Sequence, residues 1–168
     1  MRKVVLYELL SLDGVAESPD EFFPDWEEAL DANLAAVIAT QDAVILGRRS
    51  YDEWSAYWPG SAIEPFATFI NDVTKYVATS TPLGGQWHNA TAIAGGLVPF
   101  VQKLKDSPGG DIGVHASIAV AQALLVVAPA IAGRGRRLLD GLPPIRLESL
   151  DSATSPKGYL LAAYRISR

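Results

Sequence analysis

The feature that most restricts the fold of this chain is an alternation of short apolar runs with segments of helical periodicity. The runs KVVLYELL (3–10) and AVILG (43–47) are apolar and rich in β-branched residues, which is typical of buried strands. Between them, ALDANLAAVIA (29–39) repeats its apolar residues at helical spacing. Strands that alternate with helices predict an α/β fold with a mostly parallel central sheet.

The same alternation continues along the chain and ends in a hairpin. Further helices are predicted in RRSYDEW, EPFATFIN, LVPFVQKLKD and SIAVAQALL, and further strands in KYVATS, NATAIAGG and GGDIGVHA. The runs IRLESLDSAT and YLLAAYRIS flank SPKG and predict an antiparallel C-terminal hairpin at the edge of the sheet. With 168 residues and no linker-like segment, residues 1–168 are expected to form one domain.

Composition excludes several classes of function. A net charge of −5 argues against nonspecific nucleic-acid binding. The absence of cysteine excludes disulfides, thiolate metal sites and cysteine nucleophiles. With two histidines in the chain, a multi-histidine metal centre is not expected.

No segment reads as a membrane span or a secretory leader. The N-terminal apolar run is short and is interrupted by Glu8. The apolar stretch 118–132 falls short of the roughly 20 residues that cross a bilayer, and it contains Gln122 and Pro129. We therefore expect a soluble, cytoplasmic protein.

The carboxyl ends of three predicted strands carry residues that suit a phosphate group, and such ends are where open α/β sheets bind ligands. In ILGRRSYDEW, Gly47 permits a tight turn, Arg48 and Arg49 supply charge, and Ser50 offers a hydroxyl. The alternative is a solvated arginine pair beside a helix that is capped by Ser50.

The other two strand ends are less specific. Thr79, Ser80 and Thr81 end one strand with three hydroxyls, which are also common at strand ends for purely local reasons. Ala116 and Ser117 form a strand-to-helix turn whose small side chains would admit a pyrophosphate. The pattern G-x-G-x-x-G is absent, so this turn is not a Rossmann fingerprint.

The blocks SLDG, GRRSYDEW…YWPG, KYVATST, GGDIGVHAS and APAIAGRGRRLLDG occur in an order that resembles the dihydrofolate-reductase-like family. The branch it resembles is the reductase domain of the bifunctional riboflavin-biosynthesis deaminase–reductase, with its stand-alone bacterial relatives. The resemblance covers nearly the whole chain. It implies a three-layer α/β fold that binds NADPH and forms a homodimer.

The resemblance also implies roles for individual residues. The cofactor phosphates would be held by the residues at the end of the strand AVILG, namely Gly47, Arg48, Arg49 and Ser50. Around the adenosine 2′-phosphate would lie Thr79, Ser80 and Thr81, and under the pyrophosphate Ala116, Ser117, Ile118 and Ala119. Leu10 and Asp13 would flank the nicotinamide, and Ala116 stands where relatives usually have glycine.

Two carboxylates are candidates for orienting a substrate and handling its proton. Glu8 shares a strand face with apolar residues, where a charge needs a partner or a ligand; the alternative is a structural ion pair. Asp25 precedes the first long helix, and the favoured alternative is that it caps this helix. Trp26 could stack on a planar substrate or pack in the core, and His115 is expected to be a structural, hydrogen-bonded histidine.

One junction lacks the residues that a change of element requires. Between Ala121 and Val127 no glycine or asparagine ends the helix before the next apolar run, so we expect either a lost segment at Leu125–Val126 or a rebuilt helix end. We expect the arginines of the cluster GRGRR (133–137) to be solvated, and anion binding by this cluster is the less favoured alternative.

Together these features favour an NADPH-dependent reductase that acts on a small planar heterocycle of the pterin or pyrimidine kind. A nucleotide-binding or regulatory dimer without turnover is the alternative. A third interpretation is a dimeric domain in which the Arg-Arg-Ser turn is only a capped helix.

Overall fold

The computed structural model describes residues 1–11, 14–21, 26–84, 87–124 and 146–167. At its centre lies a five-stranded sheet in which all neighbouring strands are parallel. In spatial order the strands are β1 (Val4–Tyr7), β5 (Asp111–His115), β2 (Gln41–Gly47), β3 (Thr74–Ala78) and β4 (Ala90–Ala92). The predicted parallel α/β sheet is confirmed.

Helices cover both faces of this sheet and make the fold three-layered. They are α1 (Glu28–Ile38), α2 (Arg48–Tyr57), α3 (Phe66–Asp72), α4 (Leu97–Asp106) and α5 (Ile118–Leu124), with short 3-10 turns at Pro19–Glu21 and Trp58–Gly60. Apolar residues of α4 and α5 pack on one face, and those of α1, α2 and α3 pack on the other.

The middle of the sheet forms the core because β2 is apolar on both faces. Val44 and Leu46 pack toward the α1–α3 side, and Ile45 packs toward the α4–α5 side. All three side chains have no solvent exposure. A strand covered on both faces needs a continuous apolar run, which is what AVILG provides.

At the end of helix α3, a buried lysine donates hydrogen bonds to backbone carbonyl groups. The Lys75 Nζ donates hydrogen bonds of 2.8, 3.0 and 2.8 Å to the carbonyl oxygens of Ile70, Asn71 and Val73. It also lies 4.7 Å from the ring centroid of Trp87. Because these contacts satisfy a helix C-terminus, the ammonium group can remain in the core.

The C-terminal strands β6 (Arg146–Thr154) and β7 (Leu160–Ser167) form the predicted antiparallel hairpin. Its turn is closed by a 2.8 Å hydrogen bond from the Ser155 N–H to the Tyr159 carbonyl oxygen. Within the described residues the hairpin is a separate two-stranded sheet, whereas the sequence predicted an antiparallel edge on the central sheet.

In the part of the chain that the structure describes, no helix has the length and hydropathy needed to cross a membrane.

Candidate cofactor-binding site at the carboxyl edge of the sheet

The strands of the central sheet run in one direction, so the residues that follow them meet at one edge. Four of these strand ends are followed by predicted site residues: Glu8 after β1, Ala116–Ser117 after β5, Arg48–Ser50 after β2 and Thr79–Thr81 after β3. The fold therefore brings the predicted residues together at the position where open α/β sheets bind ligands.

Arg48 connects the first turn of α2 to the end of β3. Its Nη1 donates hydrogen bonds of 2.6 Å to Thr81 Oγ1, 2.8 Å to the Pro82 carbonyl oxygen and 3.4 Å to Thr79 Oγ1. Its Nε binds both carboxylate oxygens of Asp52, at 2.9 and 2.8 Å. A guanidinium group held on two sides in this way presents its charge in a defined place.

Arg49 has a different environment from its neighbour. Its side chain is 71% exposed, against 32% for Arg48. Its Nε forms a 2.8 Å ion pair with Glu53, and its Nη1 lies 3.5 Å from Glu17. The solvated-arginine interpretation therefore describes Arg49, and Arg48 is the better placed of the two for a bound anion.

A cleft of about 600 Å³ opens beside the end of β3. Its lining residues come from the ends of β3 and β4 and the start of α4: Ala78, Thr79, Ser80, Ile93, Gly95 and Leu97. Thr79 thus touches both the cleft and Arg48. An apolar wall, adjacent hydroxyls and a fixed guanidinium group suit a nucleoside that carries a phosphate.

The turns after β2 and β5 are bonded directly to each other. Ser50 Oγ donates a 2.6 Å hydrogen bond to the Ala116 carbonyl oxygen, so Ser50 does not cap its own helix. Ala116 has a φ of +48°, in the left-handed region, and its side chain is exposed. That conformation explains why glycine would suit this position better.

The contact between Gly47 and Ser117 explains the glycine at the end of β2. A Cβ on Gly47 would lie 2.3 Å from Ser117 Oγ and 3.4 Å from Ser117 Cβ. Gly47 therefore allows the two turns to pack closely, and its predicted place beside the cofactor phosphates stays a prediction.

Glu8 lies beside the turn after β5, because Tyr7 and His115 are paired in the sheet. Its Oε1 is buried and has no hydrogen-bond partner among the described residues. Burial raises the pKa of Glu8 to about 8, and the Ser117 N–H opposes that rise. The ion-pair alternative for Glu8 has no support among the described residues.

A second carboxylate near β1 was missed by the sequence prediction. Burial, aided by the nearby Asp31 carboxylate, raises the pKa of Tyr7 to about 12. Asp31 Oδ1 also accepts a 2.6 Å hydrogen bond from Trp26 Nε1. The available signal was the helical position of Asp31, on the first turn of α1.

His115 is structural, as predicted. Its Nε2 lies 2.9 Å from Gln41 Oε1, and both side chains cross Gly113, where a Cβ would lie 2.0 Å from that Gln41 oxygen. The rings of Phe66 and Phe69 lie 5.3 and 5.9 Å from the imidazole. Burial lowers the pKa of His115 to about 4.

The remaining predicted residues divide into three groups. Leu10 is buried in the apolar cluster on the α4–α5 face, and Ile118 packs against that cluster. Ala119 is exposed on α5. Outside the described residues lie Asp13, Asp25, the Leu125–Val126 junction and the cluster 133–137.

Comparisons with known proteins support the fold. The protein YwjB of Bacillus subtilis (strain 168), whose function is uncharacterized, is 29% identical over an alignment of 154 residues that covers 84% of each chain. A protein named for riboflavin biosynthesis, from Shewanella sp. PV-4, superposes with a TM-score of 0.71 at 17% identity and full coverage of both chains. No family model matches the sequence.

A second solved structure has the same fold at a greater distance. A pyrimidine reductase-like protein from Corynebacterium diphtheriae gives a TM-score of 0.62 at 14% identity, covering 99% of this chain and 92% of that one. At these identities the likeness establishes the fold. The chain therefore has the fold of these two proteins, one named for riboflavin biosynthesis and one pyrimidine reductase-like, in agreement with the fold that the sequence predicted.

Proposed function

We propose that this protein is an NADPH-dependent reductase that transfers hydride to a small planar heterocycle of the pterin or pyrimidine kind. The observation that carries the proposal is the contact of Arg48 with Thr79 and Thr81 beside a cleft of about 600 Å³. The fold, which is shared with reductase-like proteins, supports the oxidoreductase class.

The adenosine 2′-phosphate is what distinguishes NADPH from NADH, and the end of β3 suits it. Arg48 would pair with this phosphate, and the hydroxyls of Thr79, Ser80 and Thr81 would hydrogen bond to its oxygens. The turn at Ala116 and Ser117 would lie along the pyrophosphate. When bound, NADPH supplies the hydride. The chain binds and orients the cofactor and the heterocycle, and it excludes water from them.

The heterocycle would lie on the α1 side of β1. There the indole of Trp26 is 41% exposed, and its Nε1 is hydrogen bonded to Asp31. An indole whose edge is anchored by a carboxylate can hold a flat ring against its face. In this arrangement Asp31 is the carboxyl group available to orient the ring, in the role predicted for Asp25.

The test is titration of the purified protein with NADPH and NADH, alongside the Arg48→Ala/Arg49→Ala double variant. We expect NADPH to bind more tightly than NADH and the preference to disappear in the variant. Failure of the folded wild type to bind either nucleotide would reject the reductase function.

Turnover is tested separately from binding. Oxidation of NADPH in the presence of pterin- or pyrimidine-like heterocycles distinguishes a reductase from a nucleotide-binding dimer that does not turn over. NADPH binding without oxidation by any of these heterocycles would favour the second function.

The proposal includes a homodimer in the cytoplasm. The absence of cysteine is compatible with a reducing compartment. Light scattering of the purified protein measures the oligomeric state, and a monomeric mass would contradict this part of the proposal.

A further inference from the structure

One carboxyl oxygen of Glu8, Oε1, is buried in the structure. Val4 and Leu6, on the same strand face as Glu8, pack against the apolar cluster of the α4–α5 side. Oε1 has no hydrogen-bond partner among the described residues. Burial raises the pKa of Glu8, and the Ser117 backbone N–H opposes that rise. The residue as a whole keeps some exposure at the edge of the sheet.

Charged neighbours on β1, β5 and α5 do not explain the raised pKa of Glu8. Helix α5 carries no ionisable side chain. On β5, Asp111 lies at the opposite end of the strand, and His115 packs against Phe66 and Phe69 on the other face. On β1 itself, Tyr7 points to the α1–α3 side. Within the described part of the chain, burial therefore governs the charge state of Glu8.

A buried carboxyl group of this kind is neutral at pH 7, because burial raises its pKa to about 8. In the neutral carboxyl group we place the proton on Oε1, the oxygen without a hydrogen-bond partner among the described residues. Oε1 is then a hydrogen-bond donor that lacks an acceptor, and leaving a buried donor unpaired is unfavourable.

We propose that Oε1 of Glu8 donates a hydrogen bond to an acceptor atom on a planar ring of the bound ligand, a carbonyl oxygen or an imine nitrogen. This inference rests on the proposed reductase function and deepens it. Two ligands offer such an acceptor: the carboxamide of the nicotinamide and a carbonyl-bearing heterocyclic substrate. An ionised carboxylate would repel the lone pair of either one.

Ligand binding should therefore be coupled to proton uptake. Near pH 8 about half of the Glu8 side chains are ionised in the free protein, so binding takes up roughly half a proton per site. At pH 6 uptake at this residue should be close to zero, because Glu8 is already neutral.

The experiment is calorimetric titration with NADPH at pH 8 and pH 6 in two buffers of different ionisation enthalpy. The ligand 2′-phospho-ADP-ribose, which has the phosphates but no nicotinamide, is titrated in parallel. Lumazine, a pteridine dione, is then titrated into the NADPH-saturated protein. These arms identify which ring supplies the acceptor.

Two variants test the assignment to Glu8. Glu8→Gln keeps a donor at nearly the same size, so it should retain NADPH affinity and lose the proton uptake. Glu8→Leu removes the donor and should weaken binding of the ring-bearing ligand roughly tenfold. Glu148→Gln removes an exposed carboxylate on the hairpin and is the control for loss of one negative charge.

The outcomes separate this inference from the proposed function. Proton uptake with NADPH or lumazine that is absent with 2′-phospho-ADP-ribose and in Glu8→Gln supports it. NADPH binding with no proton uptake in any arm overturns the Glu8 assignment and leaves the cofactor site intact. If the folded wild type does not bind NADPH, the proposed function and this inference are both rejected.

Discussion

The hydroxyl of Ser50, in the first turn of α2, donates a 2.6 Å hydrogen bond to the carbonyl oxygen of Ala116 at the end of β5. The two residues are 66 positions apart in the chain. Their bond joins the turns that follow β2 and β5, which are neighbouring strands. A bridge of this kind fixes the backbone geometry of Ala116 on the edge where the cofactor is proposed to bind.

The conformation of Ala116 should be strained, and glycine should relieve the strain. A non-glycine residue in the left-handed region costs about 1–2 kcal/mol, and part of that is offset by the greater chain entropy of an unfolded glycine. We expect Ala116→Gly to leave the free energy of unfolding unchanged or raise it by up to about 1 kcal/mol. Urea denaturation measures the change.

The control for Ala116→Gly is Ala56→Gly, at an exposed position in α2. There the same substitution should lower the free energy of unfolding by about 1 kcal/mol, because glycine is unfavourable inside a helix. Equal destabilisation at both positions would contradict the strain at Ala116.

The contact between Gly47 and Ser117 predicts that Gly47→Ala is destabilising. The new methyl would lie 2.3 Å from Ser117 Oγ. Forcing the turns apart should lower the free energy of unfolding by about 1–3 kcal/mol, measured by urea denaturation. Adding Ser117→Ala removes the clashing hydroxyl and should restore part of the loss.

Gly60→Ala is the matched control for Gly47→Ala, because a Cβ on Gly60 meets nothing within 4 Å. It should change stability little. A Gly47→Ala variant that is as stable as Gly60→Ala would show that the two turns are not packed as described.

The unequal environments of Arg48 and Arg49 predict unequal effects on cofactor binding. Arg48→Ala should weaken NADPH binding by roughly tenfold or more and have a smaller effect on NADH, because it removes a charge beside the hydroxyls that follow β3. Arg49→Ala should change either affinity by less than about threefold. Fluorescence titration of both variants with both nucleotides makes the comparison, and a larger loss from Arg49→Ala would reverse the assignment.

Because His115 is buried, we expect the protein to lose stability under mildly acidic conditions. Burial lowers its pKa from 6.5 to about 4, so the folded state keeps the imidazole neutral while the unfolded chain takes up a proton below pH 6.5. The stabilisation from His115 is present above pH 6.5 and is lost as the pH falls toward 4.

Free energies of unfolding measured between pH 4 and 7 test the role of His115. As the pH falls, the free energy of unfolding should decrease more steeply for the wild type than for His115→Gln, which has no titrating side chain at this position. The difference between the two slopes should correspond to at most one proton. His88→Gln, at the exposed histidine, is the control for removal of an imidazole. Identical slopes for all three proteins would show that His115 is not buried in its neutral form.

Much of the fold could be predicted because local periodicity records burial. The apolar run of β2 required a strand covered on both faces, and the helical spacing of Leu30, Leu34 and Ile38 matches the buried face of α1. Because parallel strands end at one edge, the residues after them could be expected to meet without knowledge of the strand order.

The sequence by itself therefore determined the elements, their parallel arrangement and the edge that carries Arg48 and Thr79–Thr81. Only the tertiary structure decided which side chains are paired, because pairing depends on which strands are neighbours. The order β1-β5-β2 places Glu8 beside Ser117 and lets His115 meet Gln41 across Gly113, contacts between residues that lie far apart in the chain. Burial and hydrogen bonding at those contacts set the protonation states, and periodicity along the chain carries no record of them.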